Sequence, residues 1–180
     1  MDAKTVANYM LYLMGDAFDD LTNMKINKLL YFAQGYFLAK HGKPLFTDTI
    51  EAWAHGPVVP AVYASYKEYG DQPIRKYDPE SIPDMPNEVD EILYGVARTY
   101  GKYTTSALRN ITHAIGSPWD QVYQENRAHI EIPTTVIQDY FAGQNGLAAV
   151  EKQFKESDFI GYRDEDGVLV LPKEWDDEEV

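Results

Sequence analysis

Few side chains in this sequence could carry proton or metal chemistry, and they are widely spaced. The four histidines are His41, His55, His113 and His129. No two of them stand at the HExxH spacing, or another paired spacing, that would set two imidazoles on one helix face. Without such spacing they do not make a zinc set. No cysteine is present to supply a thiolate or a disulfide. His55 and His113 are instead expected as hydrogen-bonded residues at helix ends. There is no GxSxG, Walker or GxGxxG pattern. The carboxylate pairs Asp19-Asp20 and Asp90-Glu91 lie in polar surroundings, whereas a general acid or base needs a carboxyl held in an apolar pocket. A hydrolase built on His55, His113 and a carboxylate is the enzyme alternative, and it lacks a visible nucleophile–base–orienter set. No catalytic residue, metal ligand or cofactor is therefore assigned.

Aromatic chemistry is more abundant. The chain holds 14 tyrosines. Tyr63, Tyr66 and Tyr69 recur at three-residue spacing, just after Trp53. Tyrosine and tryptophan bury much area at small entropic cost, which suits binding anchors, although most such stripes pack inward. Tyr66 and Tyr69 precede a stretch, 71–87, that contains Pro73, Pro79, Pro83 and Pro86. A long loop of this kind usually carries function, so partner contact is expected there. The segment TTSALRNITHAIGSPW has the outline of a helix-turn-helix. A reading helix there would offer His113 at its end and then an acidic Asp120, with Arg109 alone as a base-edge donor. Two core helices joined by a glycine turn are expected instead.

These residues must be positioned by an eighteen-residue stretch, MKINKLLYFAQGYFLAKH over 24–41, which is apolar on nearly every side and free of proline. It predicts a helix surrounded by its own protein, roughly 27 Å long. Thr22 suits its N-cap, Gly42 its C-terminal stop, and Lys40 and His41 its dipole. Lys25, Lys28, Gln34 and Lys40 interrupt it too often for a membrane span. A helix through Val6, Met10 and Met14 should precede it, closed by Gly15. A short extended piece is expected over 50–54, then a helix with Pro60 at its first position running to Gly70. Further helices are expected from an Asn87 cap, from Thr104 or Thr105 to Gly116, from Ser117-Pro118, and from Pro133-Thr134. Residues 127–132 should be loop or short strand. The fold class is mainly α: a compact helical domain around the central buried helix 24–41, with a small C-terminal β-hairpin.

That hairpin lies in a stretch of different character. Residues 143–180 hold 11 acidic and 4 basic side chains, a net of −7, against 18 and 12, a net of −6, over 1–142. Two units are expected, a domain over 1–142 and an acidic extension over 143–180. In the extension, 147–154 suits a short helix, Asp166-Gly167 a hairpin turn, and EWDDEEV a solvated tail in which Trp175 stands out. The whole chain, at −13 and 180 residues, is most simply one core-forming domain. Its charge argues against nucleic-acid contact and favours basic or apolar protein partners. MDAKTVANYM lacks a signal-peptide pattern, so a cytoplasmic protein without membrane attachment is expected.

LLYFAQGYFLAKHGKPLF followed by IEAWAHGPVVPAVYASYKEYG resembles the signature of the Panacea domain, the SocA-like antitoxin family also met in phage-associated proteins. YGKY at 100–103, ITH at 111–113 and SPW at 117–119 continue the resemblance over residues 3–142. Asn27 departs from it, standing where the family more often has glutamine. The resemblance implies a mainly helical antitoxin without catalysis of its own, whose partner is a cognate protein toxin encoded beside it. One branch resembles an adaptor that hands its toxin to a AAA+ protease. A phage-borne inhibitor of a host defence protein is the other alternative, and toxin class and oligomeric state stay open. Partner contact is assigned to Trp53, His55, Pro57 and Tyr63, expected to cluster at one end of the central helix, and to Tyr66 and Tyr69. His113 and Trp119 join them from the second block, and Trp175 from the tail. The extension is expected to tune partner choice or to act as a solubility tail.

Overall fold

Thr22 and Gly42 bound the central helix. The Thr22 hydroxyl accepts the Lys25 N–H, and Gly42 takes a left-handed φ of 66° while its N–H bonds the Leu38 carbonyl. Between them α2 runs over Asn23–His41, one residue earlier than its sequence pattern predicts. The computed structural model describes residues 1–15, 19–75, 77–125, 127 and 129–143, together with the backbone of 162–163 and 169–170. Within it every residue from 25 to 38 is buried, so α2 has almost no solvent face.

The other helices among the described residues are α1 (Ala3–Met14), α3 (Pro60–Ser65), α4 (Asn87–Tyr100), α5 (Thr105–Thr112), α6 (Pro118–Val122) and α7 (Thr134–Ala142). α1, α3, α4, α5 and α7 all pack on α2, which makes the fold mainly α. α7 approaches most closely. A Cβ on Gly35 would fall inside the Phe141 ring, so the absence of a side chain there lets the two helices meet. Phe141 stands edge-on to Tyr31 and Tyr36, with centroids 5.4 and 4.9 Å apart. On the α4 side, Phe32 stacks on Tyr100 at 4.0 Å, and the Tyr36 and Tyr100 hydroxyls share a 2.7 Å hydrogen bond. Burial pushes the Tyr36 phenol up to about 12 and Tyr100 higher still, so both keep their protons.

Four polar side chains of α2 inside this apolar shell, Lys25, Gln34, Asn27 and Lys28, are satisfied by the elements around them. The fully buried Lys25 ammonium lies 2.6 Å from Asp20 Oδ1 and donates to the Gly101 carbonyl at 2.8 Å. Gln34 donates to the Phe46 carbonyl at 3.0 Å and accepts the Leu45 N–H at 2.9 Å. Asn27 accepts the Val59 N–H at 2.8 Å, and Lys28 donates to the Pro57 carbonyl at 3.2 Å.

A three-stranded antiparallel sheet, β2-β1-β3, lies beside α2: β1 is Glu51–Trp53, β2 Gly56–Val58 and β3 Ile130–Glu131. The extended piece at 50–54 and the short strand within 127–132 are as the residue pattern predicts. Pro57 sits in β2, at the edge of the sheet where a missing N–H is tolerated. β4 (Tyr162–Arg163) and β5 (Leu169–Val170) pair antiparallel, as expected of the C-terminal hairpin. The helix expected over 147–154, the Asp166-Gly167 turn, Trp175 and the acidic tail lie outside the described residues.

Three helix ends differ from their sequence expectations. α3 stops at Ser65 and gives way to a 3-10 turn over Lys67–Tyr69. Pro86 rather than Asn87 caps α4, because its extended backbone turns its carbonyl toward the Val89 and Asp90 N–H groups at 2.8 and 3.0 Å. α5 ends at Thr112, where the Ser117 hydroxyl donates to the Thr112 carbonyl at 2.7 Å and accepts the Asp120 N–H that opens α6. Ile115 is thereby left 99 % exposed.

Two stability predictions result. Gly35→Ala should destabilise by about 1–3 kcal/mol in urea titrations, as overpacking does. Adding Phe141→Ala should make the combined loss smaller than the sum of the two, and additivity would refute the contact. Asp20→Ala removes the carboxylate 2.6 Å from the buried Lys25 ammonium and should cost about 3 kcal/mol, with most of it restored by a further Lys25→Met.

Candidate functional site

The hairpin β1–β2 turns on two residues, Ala54 and His55. Gly56 closes the turn at a φ of 105°, and a Cβ there would meet Thr112 Oγ1 at 2.8 Å and Lys28 Cε at 2.9 Å. Only glycine combines this backbone with so close an approach. The strand and the following helix are held to the N-terminal half of α2. Besides the Lys28 and Asn27 contacts, Asn23 Nδ2 donates to the Tyr63 carbonyl at 3.0 Å.

On its other side the hairpin meets α5 and α6. The Trp119 indole N–H donates to the Trp53 carbonyl at 2.7 Å. The His113 ring lies 3.7 Å from Trp119, which in turn stacks on Tyr123 at 4.3 Å. Both His113 nitrogens face carbonyl oxygens, Nδ1 that of Arg109 at 2.7 Å and Nε2 that of Ala54 at 3.2 Å. A neutral imidazole donates to only one, and the shorter distance assigns the proton to Nδ1. Burial holds the His113 pKa down to about 4, against an ordinary 6.5.

The outward part of the site is a second aromatic group. Trp53 is half-buried, with its ring edge-on to Tyr63 at 4.8 Å and to His129 at 5.2 Å. One Glu51 oxygen accepts both the Trp53 indole N–H at 2.8 Å and His129 Nδ1 at 2.9 Å. His129 has a φ of 60°, the one positive value on a non-glycine residue among the described residues. Such backbone costs energy and is kept where the surroundings fix it, often at functional sites.

The structure thus gathers Trp53, Pro57, Tyr63, His113 and Trp119 around the hairpin, beside the N-terminal end of α2. Several expectations need correction in detail. His113 does cap a helix end, but His55 lies in the hairpin turn. Pro57 and Trp119 are buried, so they shape the surface from beneath and are not themselves open to a partner. Tyr66 and Tyr69 lie 6.4 Å apart at the end of α3 and are partly packed against the core. The 71–87 loop beside them is anchored: Ile74 is buried and its N–H bonds the Leu21 carbonyl at 2.8 Å. Trp175 lies outside the described residues. Sequence reasoning missed Glu51, Tyr123 and His129. Glu51 and His129 meet across 78 residues of chain, and no local pattern announces that pairing.

Among the described residues no group of three or more His, Asp or Glu side chains is arranged to hold a metal. No described helix is long and apolar enough to cross a membrane. A shallow cavity between Gln34, Phe46, Ile50, Ile132 and Ile137 offers mostly apolar walls, and its buried amide is already engaged by Leu45 and Phe46.

His113 should make the fold pH-sensitive. Its folded pKa lies below its free value, so between pH 6.5 and 4 the unfolded chain binds a proton that the folded chain resists. The contribution is complete above pH 6.5 and is lost as pH falls toward 4. It should amount to roughly 1–2 kcal/mol after allowance for the ring's partial exposure. Urea titrations across this range should show a shallower acid loss for His113→Gln than for the wild type, and parallel curves would contradict the assignment.

Residues 26–120 match the family described as Antitoxin SocA-like, Panacea domain. The chain is 33 % identical over 132 residues to Antitoxin SocA of Caulobacter vibrioides (strain NA1000 / CB15N), covering 68 % of this chain and 70 % of that protein. No solved structure matches it. The matched segment holds most of α2, the β1–β2 hairpin, α5 and the start of α6, and with them Trp53, Tyr63, His113 and Trp119, whereas Tyr123 and His129 lie beyond it. This chain belongs to the SocA-like antitoxin family that carries the Panacea domain.

Proposed function

We propose that this protein is an antitoxin that neutralises a cognate protein toxin by direct contact, through the surface formed by Trp53, Tyr63 and His129. The observation that carries the reading is the shared carboxylate of Glu51, which fixes Trp53 and His129 at 2.8 and 2.9 Å on the outside of an immobilised hairpin. Aromatic side chains already held in place lose little freedom on binding, which is what a hot spot requires. His113, Trp119 and Pro57 act as positioning residues beneath them, and His55 lies at the rim. Tyr66 and Tyr69 extend the surface toward the anchored 71–87 loop.

The net charge of −13 suits a toxin with a basic face, and complementary charge would chiefly speed association. No bond-making step is assigned to the protein. Its action is occupancy of the toxin, with neutralisation lasting as long as the complex does.

The test is co-expression with the toxin encoded beside it. Wild-type protein should restore growth while toxin abundance stays constant. A fall in toxin abundance would instead indicate delivery to a protease, as in the AAA+-linked branch. Tyr63→Ala combined with His129→Ala should weaken toxin binding at least tenfold, about 1.4 kcal/mol, with an unchanged thermal midpoint. Wild-type affinity in that variant would remove this surface from the interface.

A further inference from the structure

We propose that α1, α4 and the turn over 77–81 form a second docking surface, which accepts an arginine-bearing segment of a protein partner. It shares no residue with the Trp53 surface and stands whether or not the antitoxin reading holds.

α1 buries Val6, Ala7, Met10, Leu11 and Met14 and turns Tyr9 and Tyr12 the other way. Tyr12 is 50 % exposed and Tyr94, on α4, 60 %. The Tyr9 and Tyr12 rings are 6.1 Å apart, and Tyr77 meets Tyr12 edge-on at 5.8 Å. The Tyr9 hydroxyl donates to Asp90, which lies one helical turn before Tyr94 and so on the same face of α4. The patch is also fixed in place. Asn8 donates to the Asp78 carbonyl and to Ser81 Oγ, each at 2.9 Å, and accepts the Asp78 N–H at 2.9 Å. That pins the turn carrying Tyr77, Asp78 and Glu80 against α1.

Exposed tyrosine faces set among carboxylates are an environment for a cation. The ring quadrupole attracts it, and a planar guanidinium can stack on a ring while its N–H groups reach a carboxylate. Asp90 has lone pairs beyond the one that Tyr9 uses, and Asp78 and Glu80 are exposed beside Tyr77. Lys4, one turn before Asn8, and Arg98, one turn beyond Tyr94, bound the surface and repel further positive charge at its two ends. The net charge of −13 disfavours nucleic acid and anionic lipid and selects a basic protein segment as the occupant. Arginine is preferred over lysine because the surface offers ring faces as well as charge.

The test uses the full chain, with end-capped octaarginine and octalysine as probes and aromatic NMR signals as the readout. Octaarginine should shift the rings of Tyr9, Tyr12, Tyr77 and Tyr94, and octalysine should shift them less. Tyr12→Ala combined with Tyr94→Ala should weaken octaarginine binding roughly tenfold, whereas Tyr12→Phe with Tyr94→Phe should preserve it, since the ring face and not the hydroxyl is the contact. Both tyrosines are exposed, so neither pair should disturb the fold, and the phenylalanine pair controls for it. The proposal is overturned if the alanine pair binds like the wild type. It is equally overturned if octalysine shifts the rings as strongly, or if shifts are confined to the acidic stretch 174–180.

Discussion

A helix buried on nearly all sides must find partners for its amide and ammonium side chains. α2 carries Asn23, Lys25, Asn27, Lys28 and Gln34, all buried. An unpaired polar group in such a place costs about 1–3 kcal/mol and a charge more, so each must find a partner among the segments that enclose it. Each does so largely through backbone atoms. Gly101 after α4, Pro57 and Val59 around β2, Tyr63 in α3, and Leu45 and Phe46 in the loop after α2 all supply them. Apolar packing alone would leave these segments free to slide over α2. Directional bonds to fixed side chains set their position.

The proposed toxin-binding surface inherits that order. The β1–β2 hairpin is short, and two strands alone are marginal in water. It is held because Asn27 and Lys28 bond its second strand and the residue after it, Gly56 packs against Lys28, and Trp119 clasps the Trp53 carbonyl from the far side. Asn27 is therefore an active part of the frame, its amide oxygen accepting the Val59 N–H. The strained His129 and its bond to Glu51 then fix the outer rings.

Charge and aromatic content act together on this scaffold. Among the described residues the carboxylates lie outside the core, while the ring sheath of Tyr31, Phe32, Tyr36, Tyr100 and Phe141 locks α2 to α4 and α7 within. Among the described residues two further groups of rings reach the surface, one around Trp53 and one around Tyr12. An acidic protein with exposed, pre-positioned rings is suited to binding basic proteins, with charge governing encounter and the rings governing lifetime.

Local chemistry was enough to set out much of the helical framework. Thr22 and Gly42, Ser117-Pro118 and Thr104 are caps that act through bonds within a turn, so their outcome was legible from adjacent residues. The apolar character of 24–41 likewise required burial wherever the rest of the chain went. The motif blocks identified the family, because a motif records the tertiary solution in linear form. What tertiary structure alone decided were the contacts between segments far apart in the chain. Pro57 became an edge-strand residue because β1 was there to pair with it. Glu51, Tyr123 and His129 joined the candidate surface only when strands and corner came together, and Pro57 and Trp119 passed beneath it for the same reason. Burial and long-range hydrogen bonding depend on what arrives from elsewhere in the chain, and a single stretch of residues does not encode its neighbours in space.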